Sequence, residues 1–302
     1  MAARFRVPDR PSDAVPRSRR PSGRCGCRQG LSRPREGERP RPDLGGAGLS
    51  GAAPLVYLHG LPGGSDEVSL VSDLADAVFA PDLTDGPVAD QIFTHFGDVP
   101  VTLIGFSLGA AEALRLAADH PERIAHLHLI APAAPLELGD FLGRMAGGPI
   151  FRMARDHSWL FRIVTRVQAI TAQIAPDFFA RQVFAHAQGK DVPLVADTSF
   201  RKSWAMMAAQ CLSRGNAAYR LALSAYVSPW ADRLAQVRTP TTLWYGSADN
   251  WVPPEMAEAL AQALPHIVCV RQIMDGSHYS TLAAALPHIV GRSAEDGGAA
   301  AA

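Results

Sequence analysis

A serine stands between two glycines at fixed spacing, Gly105-Phe106-Ser107-Leu108-Gly109, where an apolar run stops and a helix-forming stretch begins. A nucleophile at such a junction sits on a very tight turn with strained backbone angles. Gly105 and Gly109 leave room for the neighbouring strand and helix. The hydroxyl then projects at the carboxyl edge of a sheet, and the Leu108 N–H points to where negative charge develops on an attacked carbonyl. A serine hydroxyl is a poor nucleophile until a base takes its proton. The chain has ten His, and His278 is the one in a Gly/Ser loop after a strand, Asp275-Gly276-Ser277-His278-Tyr279. His126 and His128 alternate inside an apolar run and read as packed or edge residues. His266 and His288 each lie beside a Pro at an expected element boundary. The base needs a carboxylate to orient it and to stabilise its imidazolium. Asp249, in Gly246-Ser247-Ala248-Asp249, follows the run TTLWY, and one strand–helix–strand unit fits between it and His278. The other place for an acid, after IAHLHLI, reads Ala131-Pro132-Ala133-Ala134 and offers no carboxylate. In His59-Gly60-Leu61-Pro62-Gly63-Gly64, Gly60 lets the backbone turn towards the nucleophile, and the Leu61 N–H becomes a second oxyanion donor. That glycine-rich turn carries neither a G-x-x-x-x-G-K-[ST] pattern nor a dinucleotide fingerprint, so a phosphate cradle is not expected.

These residues need a frame that brings strand ends together. Leu55–His59, a run within Asp76–Leu83, Val101–Phe106, Ile124–Ile130, Thr241–Tyr245 and Ile267–Ile273 read as short strands. Val88–Phe96, Leu108–Asp119 and Pro253–Leu264 read as helices between them. Continuous apolar runs alternating with helices predict an α/β fold: a mostly parallel sheet with helices on both faces. Residues 136–228 break the alternation with amphipathic stretches rich in Phe, Met, Trp and Arg, and are read as a helical insert. The expected organisation is thus a core of residues 51–135 and 229–290, an insert over 136–228, a disordered Arg/Pro-rich extension over 1–50 and a disordered tail over 291–302.

Charge is uneven along the chain. Residues 1–50 carry twelve Arg, no Lys and five acids, a net of +7, although the whole chain is formally neutral. The remainder is therefore weakly acidic, which does not suit a nucleic-acid binder. Cys25 and Cys27 form a C-x-C with no partner pair nearby, and Cys211 and Cys269 are scattered. No metal site is expected from them, and reduced cysteines suit a cytoplasmic protein. No apolar run is long enough to span a bilayer, and no apolar segment follows the Arg-rich start as a secretory signal requires.

Residues 54–288 resemble the α/β-hydrolase superfamily. The matching motifs are HGLPGG at 59–64, GFSLG at 105–109, GSADNWVP at 246–253 and DGSHY at 275–279, in the expected chain order. The resemblance implies a nucleophile at Ser107, an acid at Asp249, a base at His278, oxyanion donors at Leu61 and Leu108, and a helical lid over about 136–228. Members usually have strands before the HG motif, whereas residues 30–54 do not read as strands, so five or six parallel strands are expected. The implied activity is hydrolysis of an ester, thioester or lactone of a small apolar substrate through an acyl-enzyme, without metal or organic cofactor. Phe141, Phe151, Trp159, Phe161, Phe178, Phe179 and Phe184 are candidates to line its pocket. C–C bond hydrolysis and perhydrolase chemistry use the same triad. A ligand receptor with a lidded pocket, or a protein whose Arg- and Phe-rich lid sits on lipid, would be non-catalytic alternatives. Haloalkane chemistry needs a carboxylate nucleophile and is argued against by Ser107.

Overall fold

Strands buried on both faces must lie inside a sheet that is covered by helices. A computed structural model of the chain, which describes residues 52–299 apart from Gly215, contains such a sheet. Its strands are β1 (Leu55–Leu58), β2 (Val101–Phe106), β3 (Ile124–Ile130), β4 (Thr241–Gly246) and β5 (Ile267–Ile273). All neighbouring pairs are parallel and the strands lie side by side in chain order. Every residue of β1 and β2 is buried. The register sets Tyr57 beside Ile104 and Ile104 beside His128. Only β5 alternates, with Val268 and Val270 exposed, so one of its faces meets solvent.

The helices α1 (Val88–Phe96) and α2 (Leu108–Asp119) flank β2 in the chain. α2 packs on β1, β2 and β3. Between β3 and β4 the described chain forms α3 (Gly148–Asp156), α4 (Ser158–Ile174), α5 (Pro176–Val183), α6 (Asp191–Ala196), α7 (Thr198–Arg214) and α8 (Asn216–Val227), with no strand among them. α9 (Pro254–Ala263) starts on a proline, where the missing N–H has no intrahelical role. α10 (His278–Ala299) packs on β3 and β4. None of the described helices is long and apolar enough to cross a membrane.

Three expectations need correction or fall outside these residues. The run within Asp76–Leu83 is not a strand. It makes a single bridge in which Tyr57 N–H donates to Phe79 O and Phe79 N–H to Leu55 O, at 2.8 and 2.9 Å. Pro81, lacking an N–H, cannot continue that ladder. At the other end, α10 runs through Pro287 and beyond Gly291 to Ala299. Pro287 does not end the helix because Leu282, Ala285, Leu286 and Ile289 anchor that stretch in the core. Extending a formed helix costs little, so the chain stays helical past Gly291. Residues 1–50, with Cys25 and Cys27, lie outside the described residues.

Candidate active site

Parallel pairing puts the carboxyl ends of β2, β4 and β5 along one edge of the sheet. Loops leaving that edge are where α/β sheets bind ligands. Ser107 leaves β2, Asp249 follows β4 and His278 follows β5. Ser107 has φ 55° and ψ −120°, an unfavourable conformation for a residue with a side chain. It is held there from both sides: its N–H donates to Ile130 O at 3.0 Å, and its carbonyl accepts the Ala133 and Ala110 N–H groups at 3.2 and 3.1 Å. The flanking glycines are needed because backbone passes close by. A Cβ on Gly105 would lie 2.6 Å from Ala110 Cα, and one on Gly109 would lie 2.1 Å from Leu58 O. A buried carbonyl within a sheet cannot give way as a side-chain tip can. Gly109→Ala is therefore expected to destabilise the fold by about 3 kcal/mol, the upper end for overpacking, seen as a lower urea midpoint.

Asp249 and His278 meet directly. His278 Nδ1 lies 2.9 Å from Asp249 Oδ2, and both side chains are buried. Asp249 Oδ1 accepts the N–H groups of Trp251 and Val252 at 2.8 and 2.9 Å, which fixes the carboxylate. With Nδ1–H donated to Asp249, Nε2 is free to accept a proton. The imidazole lies beside the rings of Phe106 and Trp251, at centroid distances of 4.6 and 6.1 Å. It shares with Ser107, Gly60 and Leu61 a small cavity of about 30 Å³. Burial acts to lower the His278 pKa, but the charge and hydrogen bond of Asp249, aided by Asp191 and Glu67, outweigh it, so His278 is raised above the ordinary histidine value.

The turn after β1 is anchored from beneath. His59 is fully buried; its Nε2 accepts the Leu83 N–H at 2.9 Å and its Nδ1 is 2.7 Å from Gly60 O. Glu67, an acid that belongs to no sequence motif, is also fully buried. Its carboxylate accepts the Gly60 N–H at 2.7 Å, the Tyr57 hydroxyl at 2.9 Å and the Tyr279 hydroxyl at 3.1 Å. Burial pushes the Glu67 carboxyl above the usual range, against the opposing pull of His59 and of these donors. Trp204 Nε1–H, from α7, donates to the Tyr279 hydroxyl at 2.7 Å. The only local hint of this cluster was Tyr279, next to His278 in DGSHY.

Leu61 and Leu108 border, with Ser107, a largely apolar cavity of about 490 Å³ that extends under the helices between β3 and β4. Of the seven aromatic candidates, Phe151 and Phe179 line it, and Phe184 lines the small cavity with His278. Phe141 and Phe161 instead pack in the core, and Trp159 and Phe178 are 66% and 55% exposed. The cavity wall on α4 is made by Ile163, Val164 and Val167. Trp159 lies one turn before Ile163 on the same stripe of α4, at the start of the helix, where it is exposed and not part of that wall, a distinction that composition does not carry.

Comparison with known proteins agrees with this architecture. The model of the alpha/beta hydrolase fold family matches residues 87–284. The pimeloyl-[acyl-carrier protein] methyl ester esterase of Chromobacterium violaceum is 27% identical over 217 residues, covering 70% of this chain and 72% of that protein. Among solved structures, a thermophilic esterase from Thermogutta terrifontis superposes with a TM-score of 0.57 at 20% identity, covering 80% of this chain and 91% of that one. A bromoperoxidase from Bacillus anthracis does so with 0.55 at 16% identity, covering 81% and 92%. At such identities the structural likeness speaks for the fold. Together with the family match over residues 87–284, it shows that this chain belongs to the alpha/beta hydrolase fold family.

Proposed function

We propose that the protein is a serine hydrolase that cleaves an ester-type acyl bond of a small apolar substrate, with Ser107 as nucleophile, His278 as base and Asp249 as the acid that orients it. The observation that carries this reading is the 2.9 Å contact between His278 and Asp249, with the strained Ser107 turn at the same cavity. His278 Nε2 takes the Ser107 proton as Oγ bonds to the acyl carbon. The carbonyl oxygen becomes an oxyanion stabilised by the Leu61 and Leu108 N–H groups, each worth about 2.7–4 kcal/mol in such sites. Collapse of the intermediate breaks the bond to the leaving group, which takes the proton from His278. Water, deprotonated by His278, then attacks the acyl-enzyme and releases the acid and free Ser107. The apolar cavity supports an acyl chain as the part of the substrate that is buried. The name of the Chromobacterium relative, which specifies a methyl ester of an acyl chain on a carrier protein, makes carrier-linked acyl esters worth including among candidate substrates. The helices over 136–228 serve in this reading as the lid of the pocket.

The test is treatment of the purified chain with a fluorophosphonate probe, followed by mapping of the adduct. A single adduct on Ser107, slowed by His278→Ala, is expected. A folded chain that takes no label would overturn this reading in favour of a non-catalytic ligand receptor.

A further inference from the structure

Asp191 sits in α6, far along the chain from Ser107, Asp249 and His278, yet it is only 1% exposed. Its Oδ2 accepts the Tyr279 N–H at 3.0 Å and its Oδ1 the Ser280 N–H at 2.7 Å. These N–H groups belong to the first turn of α10, where no intrahelical acceptor exists, and the first residue of α10 is His278. The neighbouring Lys190 does not neutralise Asp191: its Nζ donates to Met274 O at 3.0 Å. Burying a carboxylate costs several kcal/mol unless its surroundings compensate. A serine or asparagine would cap the same turn without that cost. A negative charge is therefore kept where a neutral group would do, next to the histidine that must become an imidazolium.

The same stretch of chain ties down both loops of the site. Lys190 N–H donates to Asp275 O at 2.9 Å, and Asn250 Nδ2 donates to His186 O at 2.7 Å. Ala146 N–H donates to Asn250 O at 2.7 Å. The helices between β3 and β4 thus hold the loop of Asp249 and the loop of His278 at once.

We propose that Asp191 is a positioning residue for His278, fixing the helical turn that begins with the base and stabilising the charge the base acquires. This rests on the hydrolase reading given above. The charged or titratable groups that act on His278 are Asp249 after β4, Asp191 from α6 and Glu67 after β1, with Tyr279 beside it on α10. Asp249 bonds the ring itself. Glu67 is engaged by Gly60, Tyr57 and Tyr279. Asp191 is the acid whose bonds both end on the backbone of α10. Docking of the inserted helices and basicity of the histidine are in this way linked through one side chain.

The experiment compares the full-length wild type, Asp191→Asn, Asp191→Glu and His278→Ala. The readouts are urea unfolding, the rate of fluorophosphonate labelling, and the pH profile of kcat/KM with p-nitrophenyl butyrate. Removing a negative charge near an imidazolium lowers its pKa. The acid limb, where activity appears as His278 loses its proton, then moves to lower pH. Asp191→Asn is expected to shift that limb down by about half a unit or more and to slow labelling at neutral pH about tenfold. Asp191→Glu keeps the charge and is expected to leave the limb in place. If Asp191→Asn lowers the urea midpoint but leaves the limb and the labelling rate of folded protein unchanged, Asp191 acts on stability alone and the proposal is overturned. Failure of both Asp191 variants to fold has the same meaning. Labelling of His278→Ala as fast as wild type would instead sink the hydrolase reading itself, whatever Asp191 does.

Discussion

Ser107→Ala is expected to lower kcat/KM on p-nitrophenyl butyrate by about 10⁴- to 10⁶-fold, the range set by losing a nucleophile that works as one unit with its base. Ser107 occupies the tight turn, and the residues on either side, Phe106 and Leu108, carry no nucleophilic atom. The fold should be untouched. The Ser107 side chain makes no helix-capping bond, and the bonds that hold its backbone run through N–H and C=O groups that alanine also has. Alanine also has a Cβ, so the positive φ costs the same in both chains. Steady-state kinetics and thermal unfolding on the same preparation check both halves. Retention of more than about a hundredth of wild-type activity by well-folded Ser107→Ala would move the nucleophile elsewhere.

Asp249→Asn is the second large effect, a loss of about 10⁴-fold in kcat. Asp249 uses its two oxygens separately: Oδ1 accepts two loop N–H groups and Oδ2 faces His278 Nδ1. An amide can keep the first role with its oxygen, so the loop stays folded. Its NH₂ would then face Nδ1 and donate to it, which moves the ring proton to Nε2, where it blocks the acceptance of the Ser107 proton. The charge that favours imidazolium is lost as well. Because Asp249 contributes to raising the His278 pKa, the acid limb of the residual activity should move to lower pH, in the same direction as for Asp191→Asn. A pH–rate profile from about pH 4 to 9 spans the ordinary histidine range and reads the shift. An unchanged limb would mean that Asp249 does not act on His278 in solution.

Much of this molecule is written locally in the sequence. β2, α2, β3 and β5 lie between the residues where apolar runs start and stop, and the position of Ser107 follows from where β2 must give way to α2. Local chemistry decides such features: a buried parallel strand needs an unbroken apolar run, and a tight turn beside backbone needs Gly105 and Gly109. The proximity of His278 and Asp249 was legible too, because both follow strands of one parallel sheet and so leave it at the same edge. What escaped the sequence depends on contacts between distant segments. Phe79 makes a bridge rather than a strand, since Pro81 ends its pairing. The helix begun at His278 passes Pro287, since packing outweighs the missing N–H. The aromatic residues between β3 and β4 divide into core, cavity wall and surface according to helical phase and docking, which their types do not reveal. Glu67 and Asp191 carry no motif at all. Each is an ordinary acid in sequence, and it is the tertiary structure that buries Glu67 under the Gly60 turn and sets Asp191 on the first N–H groups of the helix that begins with His278.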